Sequence, residues 1–178
     1  LLATSDLERV EVLRGPQGFI YGADAGGVVN VMTKRGSGAL GGRLGLEYGA
    51  FATRKIDAAV SGGGEGGDYF VAASDFTTDG FNARTTDTVL RDDDGAANTT
   101  LHTKLGWRPT EALRLQLVAR DIDAANEYDE CAFPTVHACR GTTKQTTYRL
   151  SAELESGVMS HAFGMSQADL DRADFAAG

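Results

Sequence analysis

Cysteine and proline are both scarce in this chain of 178 residues, which contains two cysteines and three prolines. Two cysteines, Cys131 and Cys139, are too few for a disulfide-rich scaffold or a four-cysteine zinc site. So few prolines exclude a collagen or a proline-rich linker. The chain is also 42% hydrophobic, which is too apolar for a chain that is disordered as a whole.

Positively charged residues are fewer than negatively charged ones. The chain has 17 Lys and Arg residues and 25 Asp and Glu residues, which gives a net charge of -8. This balance argues against a nucleic-acid-binding protein that neutralises many phosphates. No apolar run approaches the ~18 residues of a membrane-spanning helix. Leu1 to Asp6 contain neither a starting Met nor a basic segment, so no signal peptide is visible, and the reading as a fragment stays open.

Glycine, by contrast, is abundant, with 23 residues against an average usage of ~7%. Abundant glycine with little proline fits many strands joined by tight turns. From Gly41 onward, apolar and polar residues alternate in about seven successive segments, as they do in half-buried strands. In one segment, Leu113 and Leu115 alternate with Arg114 and Gln116.

The predicted connections between these segments alternate in length. Residues 62–68, 109–112 and 156–160 form short links, whereas residues 80–98 and 124–146 form long polar ones. The first link, residues 50–53, is the exception, because it is short. This alternation is typical of an up-and-down antiparallel barrel that crosses a membrane, with short inner turns and long outer loops. A soluble β-sandwich also has short, regularly spaced strands, and the pattern alone leaves both folds open.

A distinct motif precedes the alternating segments. Residues 7–34 read LERVEVLRGPQGFIYGADAGGVVNVMTK, with strand patterns near both ends and a glycine-rich stretch between them. The run closely resembles the end of the plug domain of TonB-dependent outer-membrane receptors, where I-E-R-[IV]-E-V-[IL]-[RK]-G-P is followed by YG and then by A-x-GGV-[IV]-N-[IV]-x-T-K. The key positions that match are Glu8, Arg9, Glu11, Arg14, Gly15, Pro16, Tyr21, Gly22, Gly26, Gly27, Asn30, Thr33 and Lys34.

The resemblance implies a fold, although Leu7 replaces the usual Ile and residues 18–20 are atypical. The implied fold is all-β: a partial transmembrane antiparallel β-barrel, about seven strands of some ~22, preceded by the C-terminal part of a plug domain. Residues 1–38 would be the end of the plug, and residues 39–178 would be the N-terminal part of the barrel. Such a piece has two open sheet edges, which lipid does not tolerate, so the functional unit would be larger.

The same resemblance implies a function. The chain would belong to a receptor that imports a scarce ligand, such as a ferric siderophore or cobalamin, across the outer membrane of a Gram-negative bacterium. The implied partners are the TonB energy-transducing complex, the small-molecule or metal-chelate ligand and outer-membrane lipid, with no nucleic acid. The alternatives are a passive outer-membrane channel, which lacks the plug motif, and another β-barrel or β-sandwich binding protein.

Four charged residues of the motif, namely Glu8, Arg9, Glu11 and Arg14, would lie inside the barrel. Buried charges need partners, which are either one another or charges of the barrel wall. The first wall segments offer Arg43, Glu47, Lys55 and Asp57. One hypothesis is that these ion pairs hold the plug and loosen when it is pulled. The alternative is that they are static determinants of the fold.

The first long loop contains three successive carboxylates, Asp92, Asp93 and Asp94. Carboxylate oxygens are ligands for Ca²⁺, although this spacing is not that of an EF-hand. The resemblance adds that cobalamin transporters order outer loops with calcium. The alternative is an acidic loop that is simply solvated.

The second long loop contains both cysteines. If this loop faces the exterior, as the resemblance implies, the compartment is oxidising and a disulfide between Cys131 and Cys139 is expected. The alternative is a metal pair with His137, for which no further ligand is obvious.

No catalytic arrangement is visible. The sequence contains neither G-x-S-x-G nor H-E-x-x-H, and the three histidines fall on separate segments. Neither glycine-rich stretch, residues 15–22 or residues 62–67, continues into the Lys-Ser or Lys-Thr of a phosphate-binding loop. We therefore expect a binding and transport protein rather than an enzyme, with no cofactor other than calcium in an outer loop.

Overall fold

The computed structural model describes residues 6–15, 26–82, 84, 92–129, 131 and 138–176. These parts of the chain form nine strands. Their bounds are β1 (Leu7–Arg14), β2 (Gly27–Thr33), β3 (Gly41–Tyr48), β4 (Arg54–Gly64), β5 (Gly67–Thr78), β6 (Ala96–Thr110), β7 (Leu113–Tyr128), β8 (Cys139–Ser156) and β9 (Met159–Ala176).

The strands belong to two antiparallel sheets. β1 and β2 form a two-stranded hairpin sheet, and β3 to β9 form a seven-stranded sheet in which each strand pairs with its neighbours in sequence. This up-and-down order confirms the prediction of an all-β chain with about seven barrel strands. The larger sheet is open, with β3 and β9 at its edges. Within the described residues, no helix has the length and apolar character needed to cross a membrane.

The connections of the larger sheet differ at its two ends. At one end, here called the turn end, two-residue turns at 65–66, 111–112 and 157–158 join consecutive strands. At the other end, here called the loop end, a short turn at residues 49–53 joins β3 to β4, and longer connections at residues 79–95 and 129–138 join β5 to β6 and β7 to β8. Short turns at one end and longer loops at the other follow the asymmetry of membrane barrels.

The strands at the loop end are longer than the sequence pattern predicts. The alternation predicts that β7 ends near Ala124 and that the next strand starts near Thr146, but β7 continues to Tyr128 and β8 begins at Cys139. The backbone ladder runs unbroken through this extension, from Ala124↔Thr143 to Tyr128↔Cys139. The prediction was wrong here because backbone pairing does not require apolar side chains, and the pattern detects only them.

The two faces of the larger sheet have opposite character. Paired residues on neighbouring strands point to the same face, so the register assigns each side chain to a face. One face, here called the apolar face, carries exposed hydrophobic side chains from six strands: Leu44, Leu46, Ile56, Val60, Leu101, Leu105, Leu117, Leu150, Leu154, Phe163 and Met165. An apolar band that faces outward is the surface that a membrane barrel presents to lipid.

The apolar face ends in a row of hydrogen-bonded polar side chains towards the loop end. The Thr99 hydroxyl donates to Asp75 at 2.9 Å, and the Thr146 hydroxyl donates to Asp121 at 2.7 Å. Polar groups in hydrocarbon are costly, so this row marks where a lipid-contacting band would end, below the ends of the strands.

Candidate functional site

The hairpin β1–β2 contains most of the described plug-motif residues and is organised by its own side chains. The Arg9 guanidinium lies 2.9 Å from the Glu11 carboxylate, and the Asn30 amide donates to Glu11 at 3.1 Å. Asn30 and Glu11 are directly paired across the two strands. Arg9 and Glu11 of β1 therefore bind each other, and Glu11 also binds the neighbouring strand.

Gly27 explains why the motif requires glycine where β2 begins. Its φ of +137° is a conformation that side-chain-bearing residues rarely adopt. A Cβ atom at this position would lie 2.4 Å from the carbonyl oxygen of Leu13 on the paired strand. The close approach of β1 and β2 therefore excludes any other residue.

A buried ion pair joins the start of the hairpin to the larger sheet. The Asp6 carboxylate accepts a hydrogen bond from Arg120 Nη1 on β7 at 2.6 Å. The Asp6 side chain is only 2% exposed and that of Arg120 is 13% exposed, so the pair is shielded from water. His102 on β6 lies on the same side, with its Nδ1 4.0 Å from Asp6 Oδ2.

This pair is incompletely hydrogen-bonded. Asp6 Oδ1, Arg120 Nε and Nη2, and both ring nitrogens of His102 are buried, and none has a hydrogen-bond partner in the described parts of the chain. In such surroundings a carboxylate and a guanidinium stabilise each other strongly, and either one left alone is costly. The hairpin is thus fixed by an ion pair in which the loss of either residue would leave the other as an uncompensated buried charge.

A second contact fixes the other strand of the hairpin. Lys104 Nζ on β6 donates to the carbonyl oxygen of Thr33 at 3.0 Å, at the end of β2. The Lys34 N–H donates to the carbonyl oxygen of Asp6 at 2.9 Å, which ties the two strand ends together. We call the contacts of Asp6 with Arg120 and of Lys104 with Thr33 the hairpin anchor. Because Lys104 and Arg120 lie on the face of the sheet opposite the apolar face, the hairpin packs against that face.

The link from the hairpin to β3 is also held against the sheet. Asp68 on β5 accepts a hydrogen bond from Arg114 at 2.7 Å, and the Arg35 guanidinium of the link lies 3.6 Å from the same carboxylate. Gly36 is buried, and a Cβ atom there would lie 2.4 Å or less from the carbonyl oxygens of Tyr69 and Gly62. The chain therefore enters β3 along a fixed path.

A polar cavity of about 940 Å³ lies between the hairpin and the sheet. It is lined by Glu8 and Asn30 from the hairpin and by Lys104, Arg120 and Arg149 from the sheet. A polar, water-accessible space inside a barrel is the usual setting for passage of a polar solute. The described residues therefore form a polar, water-accessible space between the hairpin and the sheet.

The wall charges predicted as partners of the plug pair with one another instead. Arg43 donates to Asp57 at 2.9 Å, and Lys55 lies 2.8 Å from Glu47. Arg14 has no ion-pair partner among the residues that the structure describes. Among the described residues, those seen to join hairpin and wall include Asp6 with Arg120, Thr33 with Lys104 and, through the link, Arg35 with Asp68.

Sequence analysis missed these anchoring residues. Lys104 and Arg120 occupy polar positions of alternating strands, so their face was readable from the sequence. Nothing in the sequence marks Asp6, 114 positions away from Arg120, as the partner. Pro16, Tyr21 and Gly22 of the motif lie outside the described residues, and their role stays a prediction.

The cysteines form a disulfide between Cys131 and Cys139, with the Cα atoms 6.0 Å apart. His137, the alternative metal partner, lies outside the described residues.

Also at the loop end, the Tyr128 hydroxyl donates to Asp174 at 3.0 Å, and this hydrogen bond raises the pKa of the phenol.

The calcium prediction gains no support from side-chain geometry. In the described ranges, which include Asp92, Asp93 and Asp94, no three His, Cys, Asp or Glu side chains converge into a group that could hold a metal ion. Calcium in this loop therefore stays a prediction.

Known proteins resemble the chain in sequence and in fold. The vitamin B12 transporter BtuB of Photobacterium profundum is 31% identical over 126 residues, which cover 70% of this chain and 21% of that protein. The protein of the same name from Vibrio vulnificus is 34% identical over 86 residues, covering 47% of this chain and 14% of its own length. No family model matches the chain.

A crystal structure of a mutant ferric enterobactin receptor from Pseudomonas aeruginosa has the same fold. Its TM-score is 0.72 at 22% identity, and the match covers 93% of this chain and 27% of the receptor. Together, the sequence relatives and this fold define the class. The chain belongs to the TonB-dependent receptors, and it spans about a fifth of the length of the first relative.

Proposed function

We propose that this chain is part of an outer-membrane receptor that imports a scarce ligand into a Gram-negative bacterium with energy supplied through TonB. Residues 1–38 are the end of its plug, and residues 39–178 are the first part of its barrel. The ligand class that we favour is cobalamin, because both sequence relatives are named vitamin B12 transporters. Ferric siderophores come second, because that likeness is one of fold alone.

The hairpin anchor is the observation that carries this proposal. A passive channel needs an open lumen, whereas here a separate hairpin is held on the inner wall by Asp6 and Arg120, and by Lys104 and Thr33. A segment held at two neighbouring points occupies space on the inner wall and can be displaced as a unit. Such an arrangement suits transport that requires an energised step.

The apolar face supports the location in the outer membrane. Its exposed Leu, Ile, Val, Phe and Met side chains would be unfavourable in water and match the lipid-facing band of a barrel. The disulfide at the loop end fits an oxidising exterior. Outer-membrane lipid and the TonB complex are therefore the proposed partners, together with the ligand.

Complementation tests the function. The complete reading frame that carries this sequence is expressed in a Gram-negative strain that lacks its own vitamin B12 transporter and needs cobalamin for growth. We expect growth on low concentrations of cyanocobalamin, and loss of that growth when TonB is also deleted. Growth that persists without TonB would indicate a passive channel, and the same pair of strains with ferric siderophores tests the second ligand class.

A further inference from the structure

Positively charged side chains are concentrated around the cavity between the hairpin and the sheet. More basic than acidic residues line this cavity, although the chain as a whole has a net charge of -8. The basic residues are Lys34, Arg35, Lys104, Arg120 and Arg149, and the acidic ones are Glu8 and Glu153. A polar space with an excess of positive charge attracts anions.

Three of these cations come from adjacent strands of the wall. Lys104 on β6, Arg120 on β7 and Arg149 on β8, here called the basic triad, lie on the face that carries the hairpin. Arg120 pairs with His102, which is two residues from Lys104. Arg149 pairs with Val118, which is two residues from Arg120. The members of the triad are therefore diagonal neighbours, at a separation of about 7–8 Å that long side chains can bridge.

The basic triad has a single carboxylate partner among the residues that the structure describes. Asp6 lies 2.6 Å from Arg120, whereas Lys104 donates to the carbonyl oxygen of Thr33. Arg149 has no ion pair with any described residue. Cations held close together repel one another, and one carboxylate compensates one of the three. The triad therefore keeps an excess of positive charge while the hairpin is in place.

Hydrogen-bond donors for an anion are present at the centre of the triad. Nε and Nη2 of Arg120 are buried without a partner in the described parts of the chain, as are both ring nitrogens of His102. Nε and Nη2 form one edge of the planar guanidinium, and such an edge matches two oxygens of a carboxylate or a phosphate. A neutral imidazole adds one further N–H donor. Because buried donors without partners are costly, this edge of Arg120 needs an acceptor.

We propose that the basic triad and His102 form a binding site for an oxyanion, which the Asp6 carboxylate occupies while the hairpin is docked. When the hairpin leaves the wall, Asp6 leaves with it, and Arg120 is left without its counter-charge. A phosphate or carboxylate group of the transported ligand then takes the place of Asp6. Cyanocobalamin carries a phosphodiester, which is such a group. The inference rests on the proposed function and assigns the residues that hold the anionic group of the ligand during passage.

Binding of inorganic phosphate to the complete receptor tests the site independently of the ligand. Asp6→Asn removes the resident carboxylate, and we expect this variant to bind phosphate at least about tenfold more tightly than wild type does. Asp6→Asn combined with Arg120→Met should lose this gain, because the guanidinium is gone. Isothermal titration calorimetry measures both values of Kd. The electrophoretic shift of the barrel on heating shows whether each variant is folded.

Uptake measurements test whether the site serves the ligand. Dicyanocobinamide has the corrin ring of cyanocobalamin but lacks its phosphodiester, so the two compounds form a matched pair of probes. We expect Arg149→Met to lower the uptake of cyanocobalamin about fivefold and to leave the uptake of dicyanocobinamide within about twofold of wild type. The Kd of cyanocobalamin at the cell surface should not change, because the site is reached only after the hairpin moves.

Arg172→Met is the control variant for the uptake experiment. It removes another cation of the same face, which is 66% exposed, lies on β9 and pairs with Asp174 instead of lining the cavity. Uptake of both compounds should stay within about twofold of wild type, because an exposed ion pair contributes little.

The possible outcomes separate this inference from the proposed function. If Asp6→Asn binds phosphate no better than wild type does, the oxyanion site is refuted. If Arg149→Met lowers the uptake of both compounds equally, or of neither, the triad does not hold the phosphodiester. A structure of the complete receptor with another of its own carboxylates on Nε and Nη2 of Arg120 would also overturn the inference. If wild type does not import cyanocobalamin but Asp6→Asn binds phosphate, the proposed ligand is wrong and the oxyanion site stands.

Discussion

Replacing Arg120 by alanine should release the hairpin from the inner wall of the sheet. The substitution removes the cation that now lies 2.6 Å from the Asp6 carboxylate, whose side chain is 2% exposed in the intact pair. Removing one partner of a buried ion pair costs about 3–5 kcal/mol, because the remaining charge is uncompensated. Lys104 still holds Thr33, so we take the lower end, about 3 kcal/mol.

Hydrogen exchange measures this release directly. An isolated two-stranded hairpin is marginal in water, so the β1–β2 amides exchange once the hairpin leaves the wall. A loss of about 3 kcal/mol corresponds to roughly a 150-fold fall in their protection. The amides in the ladder between β7 and β8 should keep their protection, because the barrel wall is unchanged.

Arg149→Ala is the matched control for this experiment. Arg149 lies on the same face of the neighbouring strand β8 and lines the same cavity, but it has no ion pair with any residue described. Its removal should leave β1–β2 protection within about twofold of wild type. A second variant, Asp6→Asn combined with Arg120→Met, removes both charges and should recover part of the loss.

One result would refute the reasoning. If Arg120→Ala leaves the protection of β1 and β2 unchanged in a folded receptor, the buried pair does not hold the hairpin. The same conclusion follows if Arg149→Ala lowers protection as much as Arg120→Ala does.

Three further predictions test other parts of the structure. Gly36→Ala should destabilise the receptor by about 3 kcal/mol or more in thermal unfolding, because its Cβ would overlap backbone oxygens, whereas Gly41→Ala, which meets open space, should be neutral. Leu150→Arg on the apolar face should cost about 2–4 kcal/mol and lower the amount of heat-modifiable barrel in outer membranes. Thiol titration of the denatured, unreduced chain should find neither Cys131 nor Cys139 free, and titration of two thiols would contradict the disulfide.

Period-two alternation located the strands of the larger sheet because successive side chains in a strand point to opposite faces. The alternation of Leu113, Leu115 and Leu117 with Arg114 and Gln116 identified both β7 and its apolar face. The same signal stopped short at Ala124, where the strand leaves the lipid band and its outward side chains become polar. Beyond Ala124 the backbone hydrogen-bond ladder between β7 and β8 continues, although the sequence no longer alternates between apolar and polar residues.

The two strands of the hairpin were also predicted from the sequence, because the motif is specific. Its glycines are required by contacts between residues within the hairpin itself. Gly27 must be glycine because a Cβ atom there would collide with the paired strand of the same hairpin. The charges of the motif were harder to interpret. The sequence left open whether Arg9 and Glu11 pair with each other or with the wall, and in the structure they bind each other.

The sequence by itself located the strands and their apolar face and, through the plug motif, indicated the class of protein, because alternation and the motif are local patterns. Only the tertiary structure decided which charges meet. Arg120 binds Asp6 across 114 residues, while Arg43, Lys55, Asp57 and Glu47 bind within one strand pair. The physical reason is that an ion pair depends on the distance between two side chains. Distances between residues far apart in the chain are set by how the hairpin packs on the sheet.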